Sequence, residues 1–185
     1  MFVRTRSLLL RPGWPEDWSA LYAEINDQQI VANLARAPWP YSAEDARAFA
    51  ARGQDIALPH FLVTLPCDDG QRLVGCCGLG RSDRGDVELG YWIAKSYWGR
   101  GYATEAARGV IEVAQMLGHR RLTAGHFVDN PASGAVLRKL GFRPTGAVRP
   151  RFSAGRGAEA MSCEFVLELE PEGWMPGDEG ESIAA

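Results

Sequence analysis

The stretch from residue 89 to residue 107 constrains this chain more than any other. An apolar strand, Leu89-Gly90-Tyr91-Trp92-Ile93, runs into a short loop that holds Gly99 and Gly101. A helix follows at once, with Ala103, Ala106, Ala107, Val110, Ile111, Ala114 and Leu117 on one stripe and Gly118 at the capping position. A strand that passes through a glycine turn into a helix N-terminus builds an anion site. The first amides of a helix have no internal partner, the helix dipole places about +0.5 charge there, and glycine lets the backbone approach a phosphate closely. The spacing is Gly-x-Gly-x-Ala. It lacks the Lys-Ser/Thr pair of a nucleoside triphosphate loop and the third glycine of a dinucleotide fold. Taken alone, the stretch also reads as a plain strand-to-helix turn.

The remaining periodicities predict a mixed α/β (α+β) domain. Residues 7–10 read as a strand, 15–27 as a helix on Trp18, Leu21, Tyr22 and Ile25, and 42–52 as a second helix capped by Ser42 with Asp45 in its first turn. Strands over 60–65, 73–79 and 87–93, joined by turns at 66–70 and 82–85, form an expected antiparallel meander. After the glycine turn and its helix come a strand over 121–128, a helix over 131–140 closed by Gly141, and strands over 142–148 and 160–169. A length of 185 residues fits one domain, placed at 1–170, and the acidic, Gly- and Pro-containing segment 171–185 is expected to be a disordered tail.

Composition narrows the function classes. A formal net charge of −3 offers no whole-surface attraction for nucleic acid. No apolar run approaches the roughly 20 residues a membrane helix needs, and Leu8-Leu9-Leu10 stops at Arg11-Pro12, so the expectation is a cytoplasmic protein. Cys67, Cys76, Cys77 and Cys163 show no metal-ligand spacing and read as buried reduced thiols, and no metal is expected.

Three segments together carry a resemblance. Trp98-Gly99-Arg100-Gly101-Tyr102-Ala103-Thr104-Glu105-Ala106 resembles the acetyl-CoA loop of the GNAT superfamily of N-acetyltransferases. Asn130-Pro131-Ala132-Ser133, with Leu140-Gly141-Phe142 beyond it, is similar to that superfamily's second coenzyme-contacting segment. Leu8-Leu9-Leu10-Arg11-Pro12 and Pro38-Trp39-Pro40-Tyr41-Ser42 resemble the RimJ/RimL-type branch, which acetylates protein N-termini. The likeness spans about residues 7–169. It implies a mixed, mostly antiparallel sheet of about seven strands flanked by about four helices and splayed between the fourth and fifth strands. It implies acetyl-CoA as co-substrate, a primary amine as acceptor, and direct attack in a ternary complex. The acceptor is a protein N-terminus or a small molecule, and the protein a monomer or homodimer. The alternative is an inactive acyl-CoA-binding or sensor module, because of Leu137 and because the base, Glu88, also reads as a structural carboxylate; two positions depart from the pattern. Trp98 stands where Gln or Arg is usual, a place that chiefly offers a backbone amide, and Leu137 stands where many members carry an acidic Tyr.

The resemblance assigns residues one by one. Trp98, Gly99, Arg100, Gly101, Tyr102, Ala103 and Thr104 would hold the pyrophosphate, with Arg100 equally readable as a solvated side chain. The strand ending at Ile93-Ala94 would run beside the pantetheine arm. Asn130 is a natural N-cap before Pro131, and the family adds a pantetheine contact. Ser133 would be the acid near the sulfur, or a small residue tolerated in a first helical turn. Glu88, a carboxylate in a largely buried strand, is the candidate base, with an ion pair or exposed strand face as its other reading. Glu105 is a first-turn carboxylate complementing the helix dipole or a partner near the acceptor. Trp39 and Tyr41 would border the acceptor pocket or pack a loop. His126 reads as a structural strand histidine, with an acceptor-site role as its alternative. At pH 7 about a tenth of an α-amine of pKa about 7.7–8.0 is already neutral, against well under a thousandth of a lysine of pKa about 10.4, so a weak base suits an N-terminal acceptor.

Overall fold

The computed structural model describes residues 1–68 and 70–169. The segment 171–185, expected to be a tail, lies outside the described residues. In chain order the elements are β1 (Val3–Arg4), β2 (Leu9–Arg11), α1 (Trp18–Ile25), α2 (Gln28–Val31), α3 (Ala43–Ala50), β3 (His60–Cys67), β4 (Gly70–Arg81), β5 (Val87–Ile93), α4 (Tyr102–Met116), β6 (Arg121–Phe127), α5 (Pro131–Lys139), β7 (Arg143–Ser153) and β8 (Ala158–Glu168). Short 3₁₀ turns at Pro15–Asp17 and Lys95–Tyr97 precede α1 and α4.

Among the described residues the strands form one eight-stranded sheet of order β1-β2-β3-β4-β5-β6-β8-β7. Every neighbouring pair is antiparallel except β5 and β6, which meet in parallel at a single bridge, Glu88 opposite Thr123. The sheet therefore splays where the sequence places the splay. One face packs α4 and α5 through a core that includes Leu10, Phe61, Val74, Leu89, Val110, Leu122, Leu137 and Phe165. The other packs α1 to α3 through Leu21, Ile30, Val31, Tyr41, Leu62 and Trp92. Side chains alternate along a strand, so Leu89 and Tyr91 look toward α4 and α5, and Glu88 and Trp92 toward α1 to α3.

Three departures from the sequence reading have local causes. The expected strand count of seven becomes eight because Val3–Arg4 pairs with β2 over two residues, too short a stretch to show a period. The single helix expected over 15–27 breaks at Asn26, and Asp27 turns extended and caps α2 by accepting from the Gln29 N–H at 2.7 Å. This adds a fifth helix. Finally, β7 continues to Ser153 through Pro144 and Pro150. It is an edge strand, the place where a residue without an N–H is tolerated, and this extension carries Arg151. Of the cysteines expected to be buried, Cys76 and Cys77 are, whereas Cys67 is exposed and Cys163 half-buried. Burial pushes the Cys76 thiol up to about 12.

Glu105 is committed to the fold. Its Oε1 accepts from Thr5 Oγ1 at 2.7 Å and from the Ser7 N–H at 2.6 Å, tying the β1–β2 hairpin to the first turn of α4. Partial burial by itself raises its pKa, but those two hydrogen bonds and the nearby Arg6 charge outweigh it and hold the carboxyl below the usual 4.5. A lowered folded-state pKa means the stabilisation is present above the unfolded value and disappears as pH falls through the folded one. Glu105→Gln is therefore expected to cost about 1–2 kcal/mol at neutral pH. Chemical denaturation of both proteins across an acid series checks this: the gap should close as the pH descends through the carboxylate range, and a gap independent of pH would mean the charge is immaterial.

Candidate active site

The splay opens into a cleft of about 870 Å³ that passes through the sheet. Its walls come from both faces: Tyr41, Cys76 and Arg151 on the side of α1 to α3, and Tyr91, Ser133 and Leu137 on the side of α4 and α5. At one end lies the glycine turn. Gly99 and Gly101 adopt φ of +76° and +82°, the left-handed region. A Cβ there costs roughly 1–2 kcal/mol per residue, and no side chain caps α4. The Gly101 carbonyl accepts the Glu105 N–H as the first helical bond, at 3.0 Å. The free first-turn amides of such a helix point along its axis toward the turn.

Several assigned residues line this cleft: Ile93, Trp98, Gly99, Gly101, Tyr102, Ala103 and Thr104 around the turn, and Asn130 and Ser133 across from it. Trp98 does more than replace a Gln or Arg. Its indole Nε1 donates to the Ile93 carbonyl at 2.7 Å, while its amide, expected to face the ligand, donates to the Lys95 carbonyl at 3.2 Å. The indole thus pins the turn to the end of β5. Asn130 is the N-cap of α5, its Oδ1 accepting the Ser133 N–H at 3.3 Å.

Four assignments fall outside the cleft wall. Ala94 is buried, and its amide is spent on the Val74 carbonyl at 2.8 Å. Arg100 turns away, its guanidinium 5.3 Å from the centroid of the Tyr97 ring. Trp39 stands outside while its neighbours Pro38 and Tyr41 line the wall, and Glu105 is held by Thr5 and Ser7 as described. Tyr41 is buried, and that burial, with Asp45 and Cys76 close by, pushes its phenol up to about 12.

Glu88 faces the cleft on the side of α1 to α3, paired with Arg151 of β7 in a bidentate bridge of 2.5 and 2.8 Å. Their side chains are 16% and 24% exposed, enough for solvent to reach the pair. The ion-pair reading of Glu88 is thus what the geometry displays. A carboxylate offers about four lone-pair sites and a guanidinium fork takes two, so the remaining two stay available to a donor in the cleft. The β7–β8 turn that leads on from Arg151 is docked firmly. Ser153 Oγ donates to the Leu34 carbonyl at 2.8 Å, Arg156 Nε to the Ala32 carbonyl at 2.6 Å, and the Arg156 fork grips Asp129 at 2.7 and 2.9 Å.

Sequence reasoning missed Arg151 and Tyr91. Arg151 lay just beyond the strand read over 142–148, in a stretch assigned to no element. Tyr91 left a usable signal, because a tyrosine inside a buried strand needs a partner for its hydroxyl. That partner is Ser133: the two hydroxyl oxygens lie 2.8 Å apart, and Tyr91 Oη also lies 3.2 Å from the Ser133 carbonyl. The position expected to carry an acid, Leu137, is fully buried apolar wall. His126 donates from Nδ1 to the Phe127 carbonyl at 2.8 Å, which leaves Nε2 without a hydrogen on a neutral ring. That atom is buried against Gly134 and has no hydrogen-bond partner among the described residues.

A parallel gap in an otherwise antiparallel sheet, with a glycine turn and helix N-terminus at its mouth, matches what the resemblance to coenzyme-A-dependent acetyltransferases implies. The comparisons give the family. Residues 7–143 match the acetyltransferase (GNAT) domain family, and the chain belongs to it. The probable N-acetyltransferase YjcK of Bacillus subtilis is 36% identical over 142 residues, 72% of this chain and 77% of that protein. Among solved structures, a GNAT-family acetyltransferase from Bacillus anthracis superposes with a TM-score of 0.74 at 22% identity, covering 91% of this chain and 98% of that one. RimL, a ribosomal L7/L12 α-N-protein acetyltransferase solved with coenzyme A, superposes at 0.73 with 19% identity and the same coverage. The protein is an acetyl-CoA-dependent N-acetyltransferase. Among the described residues, no group of His, Cys, Asp and Glu side chains could hold a metal ion and no helix is long and apolar enough to cross a membrane.

The glycine turn supplies a test that separates strain from charge. Gly101→Asp brings both a strained left-handed residue and a negative charge to the helix N-terminus, whereas Gly101→Asn brings a similar shape without the charge. Titration calorimetry should find acetyl-CoA binding lost in the Asp variant and weakened about tenfold in the Asn variant. Equal affinities for wild type and Gly101→Asp would move the pyrophosphate elsewhere.

Proposed function

We propose that this acetyltransferase acts on α-amines at protein N-termini, by direct transfer from acetyl-CoA bound through the splay. The observation that carries the reading is the cleft that crosses the sheet at the single Glu88–Thr123 bridge. Its lining comes from both faces of the sheet, which offers the coenzyme and the acceptor a side each. Acetyl-CoA would enter from the glycine turn, with its pyrophosphate on the amides from Gly99 to Thr104 and its pantetheine arm beside β5 near Asn130. The acceptor would enter past Tyr41 and the Glu88–Arg151 pair. A small-molecule amine remains the alternative acceptor.

The chemistry asked of the protein is modest. The neutral amine attacks the thioester carbonyl, the C–N bond forms, the C–S bond breaks, and the departing sulfur takes up negative charge. Holding both reactants in line supplies much of the rate. A backbone N–H at the gap is the expected donor to the developing oxyanion. Glu88, held by Arg151, would accept a hydrogen from the incoming amine directly or through a water. Ser133, on the coenzyme side, would donate to the sulfur. Because an α-amine is already partly neutral at pH 7, a carboxylate in an ion pair is base enough for this acceptor and poor for lysine. The name of RimL, an α-N-protein acetyltransferase, agrees with that preference, as does the likeness of residues 8–12 and 38–42 to the RimJ/RimL-type branch.

Two measurements test this. Peptides carrying both a free N-terminus and an internal lysine, incubated with acetyl-CoA and mapped by mass spectrometry, should carry acetyl on the α-amine; modification of lysine alone would reverse the assignment. With such a peptide, Glu88→Gln should lower kcat at neutral pH by about a hundredfold. The loss should shrink as the pH rises past the α-amine pKa, because the amine then deprotonates unaided. A deficit constant with pH would leave Glu88 a positioning role only.

A further inference from the structure

The Asn130 cap fixes the backbone of Ser133, and the hydroxyl of Tyr91 is the partner of its side chain. Tyr91 sits on β5 and Ser133 in the first turn of α5, both on the α4 and α5 side of the cleft, and their hydroxyl oxygens are 2.8 Å apart. The Ser133 carbonyl is 3.2 Å from the same phenolic oxygen. A phenol has one hydrogen to give and a serine hydroxyl one, so the pair has two states. In the first, Tyr91 donates to the Ser133 carbonyl and Ser133 donates its own hydrogen back to Tyr91, which leaves no hydrogen for a ligand. In the second, Tyr91 donates to Ser133 Oγ and the serine hydrogen is free to point into the cleft. An acceptor atom in the cleft selects the second state, because only there is it offered a donor.

We propose that Tyr91 is a positioning residue that turns the Ser133 hydroxyl outward, so that Ser133 donates a hydrogen bond to the coenzyme sulfur as it becomes a thiolate. This rests on the placement of the pantetheine arm in the splay. The bond is a hydrogen bond, with no proton transferred. Burial, partly offset by the hydrogen bond to Ser133 and reinforced by Cys77, pushes the Tyr91 phenol up to about 12. A thiol ionises at about 8.5, so a proton passing from the phenol to the thiolate would run uphill. The same shift keeps the phenol protonated, and therefore a donor, throughout the range in which the thiol titrates. It also accounts for the buried Leu137 at the position where many relatives carry an acidic tyrosine: in this chain the phenol comes from the facing strand and acts through a serine.

A donor aimed at the sulfur favours thiolate over thiol, which can be read without knowing the acceptor. The probe is free coenzyme A, with acetyl-CoA as the reference that has no titrating sulfur. Their dissociation constants are measured by calorimetry at pH 7 and pH 9.5. Dividing the two cancels the titration of phosphates and of the protein. For the wild type, coenzyme A should gain about tenfold over acetyl-CoA between the two pH values, the scale of one charge-assisted hydrogen bond. Tyr91→Phe and Ser133→Ala should each lose most of that gain. The double variant should be no worse than Ser133→Ala alone, because residues acting through one contact are not additive. A wild-type gain in Tyr91→Phe overturns the proposal. So does a further loss on adding Tyr91→Phe to Ser133→Ala, which would make Tyr91 an independent donor, and so does the absence of any gain in the wild type. Failure of acetyl-CoA itself to compete with Gly101→Asp-sensitive binding would instead displace the coenzyme from the splay, a separate result.

Discussion

A single backbone bridge, Glu88 to Thr123, governs this structure. Five strands, β1 to β5, and three, β6, β8 and β7, each form an ordinary antiparallel block, but the α4 crossover makes β5 and β6 run parallel, and they part after one bridge. The closed end is held by Thr123 Oγ1 on the Val87 carbonyl at 3.2 Å and by the bidentate Glu88–Arg151 pair. The open end is held by the Trp98 indole on the Ile93 carbonyl and by the Tyr91–Ser133 contact across the gap. Each of these is a polar contact at a place where the ladder is interrupted. A buried backbone edge must find partners somewhere, and here the interruption is converted into a binding site.

The two faces of the gap divide the labour. On the face of α4 and α5 the wall is mostly apolar, with Leu137, Tyr91 and the ring of His126, and its polar atoms converge on Ser133. On the face of α1 to α3 the wall carries charge, with Glu88, Arg151 and Asp45. In the proposed reading the first wall takes the pantetheine arm and its sulfur, and the second the amine. Rigid supports stand behind both walls. The β7–β8 turn is bolted to residues 32–35 by Ser153, Ala154 and Arg156, which fixes Arg151 and hence Glu88. On the other wall, the Asn130 cap and Pro131 set the first turn of α5, which fixes Ser133.

The sequence was legible wherever the physics is local. Gly99 and Gly101 could be read because a left-handed turn into a helix demands residues without a Cβ. Asn130-Pro131 and Ser42-x-x-Asp45 could be read because caps are settled within one turn, and the structure shows both. The order of strands and helices followed from periods of two and of about 3.6 residues. It failed where the local signal was weak or overridden: at the two-residue β1, at the break before Asp27, and along the proline-bearing edge strand β7.

What the sequence by itself determined is the presence of a left-handed glycine turn into a helix, the elements around it, and the residue types available for chemistry. What only the tertiary structure decided is who meets whom. Glu88 and Arg151 are 63 positions apart and Tyr91 and Ser133 are 42 apart. No pattern in either neighbourhood announces its partner, because the pairing depends on β7 reaching past β8 to the acceptor face and on α5 lying over the open end of β5. The same long-range packing took Glu105 away from the cleft and gave it to Thr5 and Ser7. Local rules choose a side chain's conformation, but its partner is chosen by the strand order and register, and those are properties of the whole sheet.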